Sequence, residues 1–183
     1  SVLRLRQIAT LEKLKGSETA RLLYDAFIRT QTNESLARTA RMLADFHTSP
    51  DNAILGVYAS SPTRVFLDGR ELGVFEDTEK VSALPLKLPA GRHVLALEVR
   101  KKQYPEWIQI ALRTGTTNIV SDIHWKFRLS PAGNWTAADF DDAAWPENGI
   151  QSMVKDPPEP PVIWTEPNPF IETQAASMGM WVP

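Results

Sequence analysis

The stretch from Thr63 to Arg100 limits what this chain can fold into more than any other. Val65 and Leu67 alternate with Phe66 and Asp68, and the run ends on Asp68-Gly69 before Leu72 to Phe75 resumes an apolar pattern. Period-two alternation on both sides of an Asp-Gly pair predicts a β-hairpin, because Gly accepts the positive φ that a tight primed turn requires. A second turn falls at Ala90-Gly91, and beyond it Val94, Ala96 and Glu98 alternate with Leu95, Leu97 and Val99. Strands this short, joined by turns, bury one face each and need a second sheet to cover it.

Before this stretch the periodicity is helical. Leu5, Ile8 and Leu11 share one stripe with Leu3 and Leu14 near it, and Gly16 is the expected stop. Ser17 is the expected cap of a second helix that buries Leu22, Leu23, Ala26 and Phe27. Thr32 or Asn33 caps a third, carrying Leu36, Ala40, Leu43 and Phe46, with Arg38 and Arg41 on its wetter side. The turn cluster Thr48 to Asn52 divides the chain into a helical segment, 1–49, and a β segment, 50–183, with a Pro/Trp-rich extension.

The β segment reads as strands at 53–59, 63–67, 72–75, 84–88, 93–100, 107–114, 118–121 and 124–129. That spacing predicts an antiparallel sandwich or jelly roll. From Ser130 the chain turns irregular, and Trp135, Phe140 and Trp145 among Asp139, Asp141 and Asp142 predict a loop pinned by aromatics. Pro157 to Pro161 is a polyproline-like spacer, Val162 to Trp164 a candidate strand, and Met178 to Val182 an apolar tail that calls for burial.

Two sets of residues resemble one family. The first is Val65-Phe66-Leu67-Asp68-Gly69-Arg70-Glu71-Leu72-Gly73 together with Leu88 to Leu97. The second is Trp125-Lys126, Gly133-Asn134-Trp135 and Phe140-Asp141-Asp142-Ala143-Ala144-Trp145. Together they resemble galactose-binding-like jelly rolls, the sugar-binding β-sandwiches attached to glycoside hydrolases of the β-galactosidase and α-rhamnosidase type. The resemblance spans residues 51–165. It implies a mainly β sandwich with a structural or carbohydrate-binding role, in which the aspartates cap a turn and the tryptophan packs into the sandwich. In many members the Phe-Asp-Asp segment precedes the hairpin, whereas here it follows. That order fits either a permuted sandwich or the junction of two.

Chemistry-bearing residues are scattered. His47, His93 and His124 lie far apart without an i, i+4 pair, so the pattern gives no metal site. Asp122 and His124 have no nucleophile elbow near them. Adjacent carboxylates such as Asp141-Asp142 face opposite ways along an extended chain, which does not suit glycosidic acid–base work. The expectation is therefore no catalytic residue and no cofactor, although the oxygen-rich Asp139, Asp141 and Asp142 could hold a structural calcium ion. The best ligand patch in the sequence is Tyr104 and Trp107 with Arg100, an aromatic pair beside cations.

Composition narrows the partners. The net charge of −2 gives no electrostatic case for nucleic acid. No apolar run approaches the roughly 20 residues that span a bilayer, and no leader pattern opens the sequence. The absence of cysteine removes thiol catalysis and disulfide scaffolds. The reading is a non-catalytic structural or interaction module of an extracellular or cell-surface assembly, with a periplasmic setting also compatible. Its partners would be other protein subunits or domains. A carbohydrate-binding module is the alternative, and a glycoside-processing fragment ranks behind both.

Overall fold

The computed structural model describes residues 2–76, 81–100, 106–115, 118–121, 124–147 and 180–182. Three helices come first: α1 (Val2–Lys15), α2 (Ser17–Thr30) and α3 (Glu34–Phe46). Among the described residues eight strands follow: β1 (Asn52–Ala59), β2 (Thr63–Leu67), β3 (Arg70–Phe75), β4 (Ser82–Lys87), β5 (Leu95–Val99), β6 (Glu106–Arg113), β7 (Asn118–Val120) and β8 (Met180–Val182). All the pairings are antiparallel. One sheet runs β4-β1-β6, with β7 and β8 both paired to β6, and the other runs β3-β2-β5. The fold is thus mixed: antiparallel sheets with three helices.

Strand β1 explains the layering. It is buried along nearly its whole length, as expected of a strand covered on both faces. Ala53, Leu55, Val57 and Ala59 point to one side and join Ile108, Ile110 and Leu112 of β6, Leu86 of β4, and Val65 and Leu67 of β2 in one apolar cluster. That cluster therefore draws on both sheets. Ile54 points the other way and joins Leu5, Ile8, Tyr24, Phe27, Leu36, Leu43 and Phe46 of the helices. Ala83 and Ala111 pack against this second cluster, in register on either side of Gly56. Small side chains there keep the sheet surface low beneath the helices.

Several helical details depart from the periodicity. Gly16, at φ 84, holds the N-cap position of α2, and Ser17 is already helical. Leu22 is 55% exposed and Ala26 is also exposed, whereas Ala20, Tyr24 and Phe27 carry the buried face of α2. The stripe is rotated because Tyr24 is the largest side chain that the helical core encloses completely. Leu3 and Leu14, read as flanking the buried stripe of α1, lie exposed opposite Leu5 and Ile8. Asn33 caps α3 as expected, its Oδ1 accepting the Leu36 N–H at 3.0 Å. Residues 124–129, expected as a strand, make one isolated bridge, Lys126 to Glu147.

Candidate functional site

The site grows from the alternation of β2. Val65 and Leu67 face the inter-sheet cluster, so Arg64 and Phe66 must face outward. An outward phenylalanine on an uncovered sheet would be wet, yet Phe66 is only 8% exposed. Its cover is Trp135, set edge-on at 5.7 Å between ring centroids. Trp145 lies tilted by 35° against Trp135 at 6.4 Å, and Phe140 meets Trp145 edge-on at 5.3 Å. Trp135, Phe140 and Trp145 are each half-buried, so the stack rests on the sheet and still meets water. Such offset and edge-on geometries satisfy the ring quadrupoles.

Turns shape the segment that carries these rings. Ala137 N–H donates to Asn134 O, Phe140 N–H to Ala137 O, and Trp145 N–H to Asp142 O at 2.8 Å. Asp141 Oδ1 accepts the Ala143 N–H at 2.9 Å, a side-chain cap of the next bend. The aspartate caps a turn, as the family resemblance implies. The tryptophans, by contrast, pack on the outward face of the three-stranded sheet. Lys126 Nζ donates to Asp142 O at 3.2 Å, and Phe127 N–H to Pro146 O at 3.1 Å, closing the segment's far end.

Charged groups beside the rings are fixed. Arg64 donates to Glu71 Oε2 at 2.5 Å and to Glu98 Oε2 at 2.7 Å, one carboxylate on each neighbouring strand. Its guanidinium stands 5.1 Å from the centre of the Phe66 ring. Those two carboxylates, Glu71 first, hold the guanidinium even more firmly charged than usual.

One edge of the site is a clamp between two turns. Asp68 takes φ 51 and Gly69 φ 81, the pair of positive values that a primed hairpin turn demands. Asp68 Oδ1 accepts the Val94 N–H at 2.8 Å, and Oδ2 stands 2.7 Å from His93 Nδ1. His93 Nε2 lies 2.8 Å from Pro89 O. Burial alone would raise the Asp68 pKa, but the bonds from His93 and the Val94 N–H leave it below the usual aspartate value. The Asp68 carboxylate and then the Pro89 carbonyl raise that of His93.

The three histidines stay apart, each beside a different carboxylate: His47 with Glu12, His93 with Asp68, His124 with Glu147. Among the described residues, no group of three or more His, Asp or Glu side chains is placed to share a metal ion. Of the residues singled out from the sequence, Arg100 leaves β5 exposed, its N–H donating to Pro62 O at 3.0 Å. Trp107 lies in β6 with its backbone opposite Trp181, in the other sheet. Tyr104 falls outside the described residues. Phe66 was not among the sequence candidates, although an aromatic at an outward position of an alternating strand is a signal that something must cover it.

No protein-family model matches the chain, and no curated protein sequence matches it. Its structural neighbours are a fungal lectin and an α-L-rhamnosidase. The lectin of Pleurotus ostreatus in complex with GalNAc superposes with a TM-score of 0.48 at 21% identity, over 52% of this chain and 31% of the lectin chain. The apo form of that lectin gives 0.46 at 20% identity, over the same shares. The α-L-rhamnosidase of Streptomyces avermitilis complexed with L-rhamnose gives 0.44 at 24% identity, over 52% of this chain and 11% of the enzyme. The chain thus spans less than a third of each of these proteins. No helix among the described residues is long and apolar enough to cross a membrane.

Proposed function

We propose that this chain is a non-catalytic carbohydrate-binding module of a secreted or surface protein. In this reading its two sheets form a galactose-binding-like sandwich, and its ligand rests on the aromatic face of the three-stranded sheet. The observation that carries the reading is the pair Trp135 and Trp145, half-buried and mutually tilted beside the fixed Arg64–Glu71–Glu98 group. A sugar ring offers an apolar C–H face to an aromatic plane and hydroxyls to fixed donors and acceptors, and this surface supplies both. The aromatic rings are already held by Phe66 and Phe140, so little side-chain freedom is lost on binding.

Affinity-gel electrophoresis against a panel of soluble polysaccharides tests it. Wild type should be retarded by at least one, and Trp145→Ala should weaken retardation at least tenfold, about 1.4 kcal/mol. Trp107→Ala tests the alternative patch with Tyr104 and Arg100 and should leave retardation unchanged. Failure of every polysaccharide to retard the folded protein would overturn the proposal.

A second reading, a structural module that contacts other protein subunits, draws on Leu3, Leu14 and Leu22, which are 65%, 75% and 55% exposed on α1 and α2. Light scattering over a concentration series addresses it, and a strict monomer counts against it.

A further inference from the structure

We propose that Asp68, His93 and Arg92 are positioning residues for the aromatic face, and that the Asp68–His93 pair works as a proton-dependent catch. The geometry needs two donors on one ring. His93 Nδ1 faces a carboxylate oxygen at 2.7 Å and Nε2 faces a carbonyl oxygen at 2.8 Å. A neutral imidazole carries one N–H, so only the imidazolium satisfies both acceptors. Protonated, the ring joins the β2–β3 turn to the loop from Pro89 to His93. Two further bonds complete the joint: the Asp68 N–H donates to Val94 O at 2.9 Å, and the Val94 N–H donates to the Asp68 side chain, at Oδ1, at 2.8 Å.

The joined turns carry the segment that bears the rings. Arg92, next to His93, donates from Nη2 to Phe140 O at 3.2 Å. Gly69, next to Asp68, lies beneath the backbone of that segment: a β-carbon there would stand 3.8 Å from Ala137 Cα and 3.9 Å from Thr136 O. The groups facing the imidazole are therefore the Asp68 carboxylate from one turn and the Pro89 carbonyl from the other, with the Arg92 cation beside it in sequence. Asp68 raises the His93 pKa, and the pair stabilises the joint below the unfolded histidine value of about 6.5. That contribution is lost as pH rises through the raised folded value. Losing one of the two ring bonds loosens the loop from which Arg92 reaches Phe140, while the Asp68–Val94 bonds keep it in place, and the spacing of the rings shifts.

The importance for binding rests on the proposed sugar site, but the catch can be measured without ligand. Protein labelled with 5-fluorotryptophan gives one ¹⁹F signal per tryptophan, with Trp135 and Trp145 assigned through Trp135→Phe and Trp145→Phe. ¹⁵N-imidazole signals follow His93 in parallel between about pH 5 and about pH 10. Both tryptophan signals should shift with the His93 midpoint. Asp68→Asn, which keeps an acceptor for the Val94 N–H and suits the positive φ, should lower that midpoint and move the tryptophan transition with it. His93→Gln should leave the two signals independent of pH over this range. Tryptophan signals that ignore His93 titration, or an unchanged midpoint in Asp68→Asn, would overturn the catch. Loss of polysaccharide retardation in Trp145→Ala bears on the sugar site alone, so the two proposals fail separately.

Discussion

Glu12 shows how a single side chain ties distant parts of this chain together. It projects from α1, and its Oε1 takes a 2.6 Å bond from Arg113 of β6. Its Oε2 stands 3.3 Å from Nε2 of His47, whose side chain is 3% exposed. The His47 ring stacks over Tyr24 of α2, and the Arg113 guanidinium lies 4.8 Å from the centre of the Phe46 ring. Burial alone would raise the Glu12 pKa, but the contacts with His47 and Arg113 outweigh it and leave the pKa lowered. A depressed carboxylate contributes stability above its unfolded pKa of about 4.3 and loses it as pH falls through the folded value. Glu12→Gln should therefore destabilise the protein at neutral pH by about 1–3 kcal/mol, since the buried negative charge facing Arg113 and His47 is removed. It should also flatten the acid limb of melting temperature against pH; an acid limb as steep as wild type would contradict this account. Nothing in the local sequence marks Glu12, because its partner lies on β6, far along the chain. Helical periodicity sees neighbours three or four residues away and cannot see Arg113.

At the scale of elements, the hairpin was the most legible part of the molecule. Asp-Gly between alternating runs defines strands and turn type, and β2 and β3 follow that reading except at a register shift between Val65 and Phe66, which the alternation does not signal. Gly69→Ala puts a β-carbon at φ 81, in a region L-residues avoid, with Thr136 and Ala137 directly above. It should cost about 1 kcal/mol, seen as a lower urea midpoint with an unchanged slope. Gly16→Ala, at φ 84 with open space around it, carries the same backbone penalty without the contact above. The less legible elements were those whose faces depend on what packs against them. Leu22 has the spacing of a core residue, but Tyr24 and Phe27 take the buried side of α2. The Phe-Asp-Asp segment has no periodicity at all. Its place over Phe66 comes from rings, caps and the reach of Arg92 and Lys126, each of which needs the finished sheet to act on.

For the whole molecule, the decisive fact is that β1, the central strand of the five-stranded sheet, is buried on both faces. The uninterrupted apolar run from Ala53 to Ala59 already signals such a strand, since a half-exposed one would alternate. What the run cannot say is that the helices supply the second cover. Because Ile54, Ala83 and Ala111 share a cluster with Leu5, Tyr24, Leu36 and Phe46, the helical and β segments have a common interior. Helices as short as these gain most of their stability from such packing. Melting of the helices would expose β1, and loss of the sheet would strip the helices of their floor. Thermal unfolding followed by far-ultraviolet circular dichroism, dominated by α1–α3, and by the fluorescence of the sheet-borne tryptophans should therefore give coincident transitions. Leu55→Ala, at 0% exposure between the two sheets, should lower both midpoints together by the equivalent of about 2–5 kcal/mol. Ala111→Leu crowds the opposite face beneath the helices and should lower both by about 1–3 kcal/mol. If Ala111→Leu shifted the helical transition and left the fluorescence transition in place, the two segments would be energetically separate units. The shared cluster around Ile54 would then be contact without coupling.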